Sequence, residues 1–282
     1  MNKEKLKQII KSLDTAPLKK RGQHFLISDK VVSDLVGAAS LSKKDKVLEI
    51  GPGLGALTEK LVEQARKVLA CEVDDKLISY LQNKYQQENI EILKADILRL
   101  DLAKYFENNK YKVVANIPYY LTSHLFKFFL ENKTRPELMA FLVQKEIADR
   151  LTAEAPNVSL LTLSVQLYAE TKIISVVPSE AFYPAPKVDS AVILLKLRQT
   201  PLIAETLIAD FFHLAKIAFA AKRKQIHNNL ESGLKWEKDK IIQLLKISAI
   251  DKTRRAETLT WPEWESLTRK YIRIKKDPRL QA

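Results

Sequence analysis

The stretch of this chain best suited to chemistry is Asn116-Ile117-Pro118-Tyr119, because it can hold a flat amine. An Asn side-chain oxygen and the neighbouring Ile117 carbonyl can both accept hydrogen bonds from one exocyclic NH2 group. Pro118 fixes φ and stiffens the turn, and the Tyr119 ring can stack on a heterocycle. A planar base whose amino nitrogen is the nucleophile suits this arrangement. In isolation such a tetrapeptide is more often a turn that closes a strand. The apolar residues before it, Tyr111, Val113, Val114 and Ala115, predict a buried strand. The tetrapeptide then falls at the carboxyl end of that strand, where open α/β sheets build their sites.

A second motif stands upstream, Val47-Leu48-Glu49-Ile50-Gly51-Pro52-Gly53-Leu54-Gly55, followed by a helical pattern through Leu57, Leu61 and Val62. Gly51 and Gly53 let the backbone turn with positive φ and approach a ligand closely. The next apolar run, Val68 to Cys71, ends at Glu72, 21 residues after Gly51. A carboxylate there can accept hydrogen bonds from a ribose diol. The Gly51, Gly53, Ala56 spacing also fits a dinucleotide fingerprint, so the glycines do not choose between a nicotinamide and another adenosyl cofactor. Asp96 follows a third strand pattern and can accept from an adenine amino group; it reads equally well as a helix N-cap. Glu49 reads either as a ligand group or as a carboxylate behind the ligand shell.

The elements that must position these residues alternate. Strands are predicted near 46–50, 68–72, 90–93, 111–115, 138–143, 173–177 and 190–197, with a helix over 29–39 before the first. That alternation predicts an α/β fold, a doubly wound sheet with helices on both faces. Residues 178–189 show no helical pattern, so the last two strands are predicted to pair antiparallel at one edge. Seven strands with one reversed fit a class I methyltransferase sheet, Rossmann-like, better than a dinucleotide dehydrogenase. After Thr200-Pro201 the periodicities are helical (202–221, 238–245, 261–271). The expected organisation is a basic N-terminal extension over 1–21, a catalytic domain over 22–200 and a small helical domain over 201–282. Leu6, Ile9, Ile10 and Leu13 predict a short amphipathic helix within the extension.

The chain has 282 residues and a net charge of +13, unevenly spread. Residues 1–22 hold 7 basic and 2 acidic residues, residues 196–282 hold 19 and 10, and the stretch between is nearly neutral at 21 and 22. Basic ends on a neutral core suggest binding of a polyanion; solvated helix faces are the plainer explanation. One cysteine, Cys71, excludes an internal disulfide framework, and in its strand pattern it reads as a core residue. The four histidines show no paired metal spacing, so no catalytic metal is expected. The absence of a long apolar run argues against a membrane span, and the N-terminus lacks a signal-peptide core, leaving the cytoplasm as the expected compartment.

Together these motifs resemble the ribosomal RNA small-subunit adenine dimethyltransferases, from about Gly22 to Leu267. The resemblance rests on Gly22-Gln23-His24-Phe25-Leu26, Glu49 to Gly55, Asn116 to Tyr119, Phe182 to Ser190 and Arg255-Ala256-Glu257-Thr258-Leu259. It implies S-adenosylmethionine as methyl donor. The implied substrate is two adjacent adenosines near the 3′ end of small-subunit (16S) ribosomal RNA, converted at N6 to N6,N6-dimethyladenosine during small-subunit biogenesis. By position, the resemblance implies that His24, Leu26, Gly51, Glu72, Asp96 and Asn116 line the cofactor site, with Gly53 in the same turn. Gln23 belongs to the block that closes over the cofactor, and Tyr119 and Phe182 sandwich the target adenine. RNA contacts are expected from Lys20 and Arg21 and from the block Phe219 to Lys224, through Lys222, Arg223 and Lys224. That block carries Lys222 where the family has Arg, which keeps the charge but loses a planar fork. The enzyme is expected to act as a monomer.

Three other readings stand beside this one. A large-subunit RNA adenine methyltransferase of the macrolide-resistance type shares the Asn-x-Pro-Tyr site, but the 255–259 block and the long basic helical segment argue against it. A nicotinamide oxidoreductase fits the glycines and leaves Asn116 to Tyr119 unexplained. A ribosome-assembly or RNA-binding factor that uses the fold mainly for docking is compatible with the basic ends.

Overall fold

The computed structural model describes residues 3–13, 23–106 and 110–276. Lys20 and Arg21 lie outside the described residues. The chain packs as two compact units, one holding the described residues up to Asp149 together with Ala169–Leu197, the other Arg150–Tyr168 with the described residues from Arg198.

The first unit begins with helix α1 (Lys3–Ser12), a two-residue strand β1 (Phe25–Leu26) and helix α2 (Asp29–Ala39). Ser28 caps α2 by accepting from the Val31 N–H, and Ser40 closes it in the left-handed region at φ 45°. Strands and helices then alternate: β2 (Lys46–Ile50), α3 (Thr58–Gln64), β3 (Lys67–Glu72), α4 (Asp75–Lys84) and β4 (Ile90–Lys94). They are followed by β5 (Lys112–Asn116), α5 (Thr122–Glu131), β6 (Leu138–Gln144) and α6 (Lys145–Leu151). After an excursion through α7 (Leu160–Gln166), the sheet resumes with β7 (Ala169–Val177) and β9 (Ser190–Leu197), separated by the short β8 (Phe182–Tyr183).

The seven-stranded sheet has the order β4-β3-β2-β5-β6-β9-β7. Its strands are parallel except β9, which runs antiparallel to both β6 and β7. The central strands are buried on both faces: Val47, Leu48, Val113, Val114 and Met139 to Val143 are fully buried. This is why they read as continuous apolar runs rather than alternating ones. From β2 the chain builds outward through β3 and β4, then returns to lay β5 on the other side of β2. The strand order therefore reverses between β2 and β5, which opens a crevice at their carboxyl ends.

β7 is longer than the pattern suggests, starting at Ala169 rather than near 173. As an edge strand it alternates exposed and partly buried positions between its buried ends, and Glu170 and Lys172 interrupt its apolar signal. A separate pair forms where no sheet is predicted: β1 and β8 run antiparallel, with Phe25 opposite Tyr183 and Leu26 opposite Phe182.

The second unit continues with α8 (Ile208–Ala218), α9 (Ile226–Leu234), α10 (Lys238–Ile247) and α11 (Trp261–Lys276). The predicted helix over 202–221 is shorter at both ends, and α9 lacks a clear helical signal because its sequence, IHNNLESGL, is polar and contains a glycine. That glycine has a packing reason: a Cβ at Gly233 would lie 2.3 Å from Ile217 Cγ2 of α8. Asn229 ties α9 back to the end of α8 by donating to the Ala218 and Ala221 carbonyls at 2.7 and 3.1 Å.

Residues Arg150–Tyr168 belong with this helical unit rather than with the sheet domain. Backbone hydrogen bonds are the cause: Val158 donates to the Glu257 carbonyl, Arg198 to Tyr168 and Leu202 to Leu167. The 255–259 block thus has a structural part to play, with Ala256 and Leu259 buried and Arg254 paired to Glu263.

Candidate active site

The crevice between β2 and β5 holds a cavity of ≈ 390 Å³, a size typical of small-molecule sites. Eleven of the residues singled out in the sequence line it: Gln23, His24, Leu26, Gly51, Gly53, Glu72, Asp96, Asn116, Ile117, Pro118 and Tyr119. They come from segments distant in sequence, which the sheet topology brings to one edge.

The glycine turn after β2 supplies the floor. Gly51 and Gly53 sit at φ +62° and +60°, conformations that L side chains rarely adopt, and a Cβ on Gly51 would meet no atom within 4 Å. Backbone and ligand can therefore approach closely there. Glu72 ends β3 beside this turn. Its Oε1 accepts from the Val73 and Asp74 N–H groups at 2.8 and 3.1 Å, and Oε2 from Gly53 at 3.4 Å. Burial raises its pKa, against the lowering effect of those backbone donors. Asp96 caps the turn that follows it, its Oδ1 accepting from the Leu98 N–H at 3.0 Å, and the residue also lines the cavity.

Asn116, the last residue of β5, donates from Nδ2 to the His24 carbonyl at 2.9 Å. That bond fixes the amide plane and leaves Oδ1 as its acceptor end. His24 is held in turn, its Nδ1 lying 2.7 Å from the Pro184 carbonyl. A carbonyl only accepts, so Nδ1 carries the hydrogen. The Tyr119 ring lies 5.7 Å from that of His24 at an interplanar angle of 28°, and its hydroxyl is 2.9 Å from Ser190 Oγ. Burial raises the Tyr119 pKa, opposed by the Ser190 hydrogen bond, so the phenol is neutral.

Phe182 is not part of this wall. It is 3% exposed, packed with Leu26, Val31, Val32 and Ala181, and absent from the cavity lining. Of the two rings expected to flank the target adenine, Tyr119 lines this cavity and Phe182 does not. Instead Phe182 pairs with Leu26 through the β1–β8 ladder, and Ile27 N–H donates to the Ala181 carbonyl at 2.9 Å. The segment thus holds the 23–26 block against the cavity from behind.

Glu49 lies behind the lining. It is 1% exposed, and neither carboxylate oxygen has a hydrogen-bond partner among the described residues. Burial raises its pKa to about 8; the neighbouring Thr58 opposes the rise and the Glu72 charge adds to it.

Sequence reasoning missed several contributors. Leu6 of α1 is fully buried and lines the cavity, packed with Phe25, Leu54 and Leu77. Its helical spacing marks a buried face but not which surface that face covers. Val73, Tyr120 and Leu121 also line the cavity. Ser190 closes the 182–190 motif, with no local signal of its bond to Tyr119. In the second unit, Lys222, Arg223 and Lys224 are all exposed in the turn between α8 and α9. Among the described residues no group of His, Cys, Asp and Glu is arranged to hold a metal ion, and no helix is long and apolar enough to cross a membrane.

A seven-stranded sheet with a single reversed strand, a glycine turn after the strand at the switch point and an acidic residue ending the next strand define a class I S-adenosylmethionine-dependent methyltransferase. Comparison with known proteins narrows the class. The model of the ribosomal RNA adenine dimethylase family matches residues 18–275, and the chain belongs to that family. It is an rRNA adenine dimethyltransferase that uses S-adenosylmethionine.

A protein of Dehalococcoides mccartyi named ribosomal RNA small subunit methyltransferase A is 44% identical over 252 residues, covering 89% of this chain and 87% of the relative. One of the same name from Alkaliphilus oremlandii is 38% identical over 269 residues, covering 93% and 94%. Among solved structures, the 23S rRNA methyltransferase ErmE superposes with a TM-score of 0.71 at 27% identity, covering 87% of this chain and 98% of that one. A dimethyladenosine transferase from Plasmodium falciparum shares the fold with a TM-score of 0.78 at 24% identity, covering 89% and 98%.

Proposed function

We propose that this enzyme methylates N6 of two adjacent adenosines near the 3′ end of small-subunit (16S) ribosomal RNA, giving N6,N6-dimethyladenosine during small-subunit biogenesis. The observation that carries the chemistry is the Asn116 amide, held by the His24 carbonyl with its oxygen left to accept from the base. The substrate assignment draws on relatives at 38–44% identity that are named as small-subunit methyltransferases.

Adenine N6 is a weak nucleophile because its lone pair is delocalised into the ring. Asn116 Oδ1 and the Ile117 carbonyl accept its two N–H bonds. As the nitrogen becomes tetrahedral, positive charge grows on it and both acceptors bind more strongly than in the ground state. The bound cofactor supplies an electrophilic methyl on a sulfonium, so the protein's main task is alignment. Gly51 and Gly53 admit the cofactor against the backbone, Glu72 accepts from its ribose and Asp96 from its adenine. Gln23, His24 and Leu26 cover it, and Tyr119 stacks on the target base. The methylated nitrogen is acidic enough to lose its proton to water. The exposed Lys222, Arg223 and Lys224 contact RNA phosphates, as do Lys20 and Arg21 of the N-terminal segment. The enzyme works as a cytoplasmic monomer.

Likeness to ErmE favours a large-subunit substrate as the second reading. Labelled methyl transfer from S-adenosylmethionine to undermethylated small and large subunits, with mass analysis of the nucleosides, separates the two. Dimethyladenosine confined to small-subunit RNA is the expected result; label confined to the large subunit refutes the proposal.

A further inference from the structure

Tyr119 and Tyr120 are neighbours in one short 3-10 turn, Tyr119–Leu121, yet their surroundings are opposite. Tyr119 is half-buried, with its hydroxyl on Ser190 and its ring against His24. Tyr120 lines the same cavity but is 58% exposed. With three residues per turn, successive side chains diverge by about 120°, so Tyr119 is held inward while Tyr120 stands at the solvent-exposed rim of the same cavity. Seven large apolar side chains are exposed among the described residues, and two of them, Tyr120 and Val73 (49% exposed), line this one cavity. The mouth is therefore apolar and aromatic where a site for a small polar metabolite alone has no use for it.

We propose that Tyr120 is a platform on which the base adjoining the target adenosine stacks, the outer half of a two-base site whose inner half is the Asn116–Tyr119 pocket. The proposal rests on the assignment of RNA adenosine as substrate. Drawing one base out of a strand destroys its stacking on the neighbour. An exposed aromatic ring at the entrance restores that contact on the neighbour's side, and aromatic stacking accepts any base because each has a π-face. An RNA strand has polarity, so one shelf holds the 5′ or the 3′ neighbour but not both. With one adenosine in the pocket the shelf holds the other adenine. With the second in the pocket it holds a base from outside the pair. Tyr120 thus makes the two methylation sites inequivalent.

The test is Tyr120→Ala against Tyr120→Phe on undermethylated small subunits, with initial rates read separately at the two adenosines. Removal of a base–aromatic stack predicts a KM for the subunit about tenfold higher in Tyr120→Ala, near normal in Tyr120→Phe, and a slowing that differs between the two adenosines. A cycle supplies the second readout. Replacing one adenosine of the pair by an abasic nucleotide, which leaves nothing to stack, should slow the wild type at the remaining adenosine that depends on it, and slow Tyr120→Ala there much less. An unchanged KM in Tyr120→Ala, or equal slowing at both adenosines through kcat alone, overturns the platform. So does an equal loss of cofactor affinity, which would place the ring in the cofactor wall. Wild-type protein that transfers no methyl to small subunits refutes the underlying function instead, a result distinct from all of these.

Discussion

Replacing Glu49 by Gln should stabilise the protein at alkaline pH and leave it nearly unchanged near pH 5. Glu49 is buried behind the cavity with no hydrogen-bond partner among the described residues, and burial raises its pKa from 4.5 to about 8. In the folded state its proton is retained up to about pH 8, whereas an unfolded chain releases it near 4.5. Between those values the native state binds more protons, so stability is fully present below the lower value and declines as pH rises through the window.

Each pKa unit corresponds to about 1.4 kcal/mol, and the whole shift to an upper limit on the order of 5 kcal/mol. Gln mimics the neutral acid and does not titrate. The stability difference between Glu49→Gln and wild type should therefore widen by up to about 1.4 kcal/mol per pH unit from pH 5 to 8. Glu72 also titrates upward-shifted, but it is present in both proteins and largely cancels from the difference. Urea midpoints measured every half unit, with unchanged m-values, give the result directly. Parallel stability curves for the two proteins across the window would show that Glu49 does not hold its proton, and the reasoning from burial would fail.

Asn116→Ala should abolish turnover in a single-turnover assay with saturating cofactor while leaving cofactor affinity within a fewfold; undiminished turnover removes Asn116 from the acceptor role. Tyr119→Phe should retain most activity, because it removes only the hydrogen bond to Ser190, whereas Tyr119→Ala should raise the KM for RNA about tenfold. Equal effects of the two changes would show that the ring does not stack. Gly233→Ala should destabilise the helical unit by about 1–3 kcal/mol despite alanine's better helix propensity, since the added methyl meets Ile217; calorimetry showing a higher Tm would contradict the close approach. Neutralising Lys222, Arg223 and Lys224 together should flatten the salt dependence of RNA binding, by a slope of roughly one unit for each phosphate these side chains neutralise. An unaltered slope would place the RNA elsewhere.

The sheet was legible because its central strands are buried on both faces and so announce themselves as apolar runs, and because Asn116 and Glu72 fall at strand ends where such sheets place ligands. What stayed hidden depends on partners remote in sequence. Nothing near Phe182 states that it pairs with Leu26 and leaves the cavity wall to Tyr119. Ser190 is an ordinary first residue of a strand until the sheet brings it to the Tyr119 hydroxyl. The 150–168 segment lies within the sheet domain by sequence order, yet its backbone hydrogen bonds are made to residues after 197, and no local pattern encodes that choice. Gly233 was misleading in the opposite sense: it weakens the helical pattern of α9 because the packed structure requires a missing side chain there.

The hold of the 182–184 segment on the cofactor-side block has a consequence for biosynthesis. His24 is anchored by the Pro184 carbonyl, and β1 has β8 as its sheet partner. A nascent chain that has emerged only as far as β6 possesses the glycine turn, Glu72, Asp96 and Asn116, but lacks the Pro184 carbonyl that holds the ring of His24, whose own carbonyl orients the Asn116 amide. The site is completed only when roughly the first two thirds of the chain has left the translating ribosome. Until then the growing polypeptide lacks two of the contacts that hold the 23–26 block at the cavity.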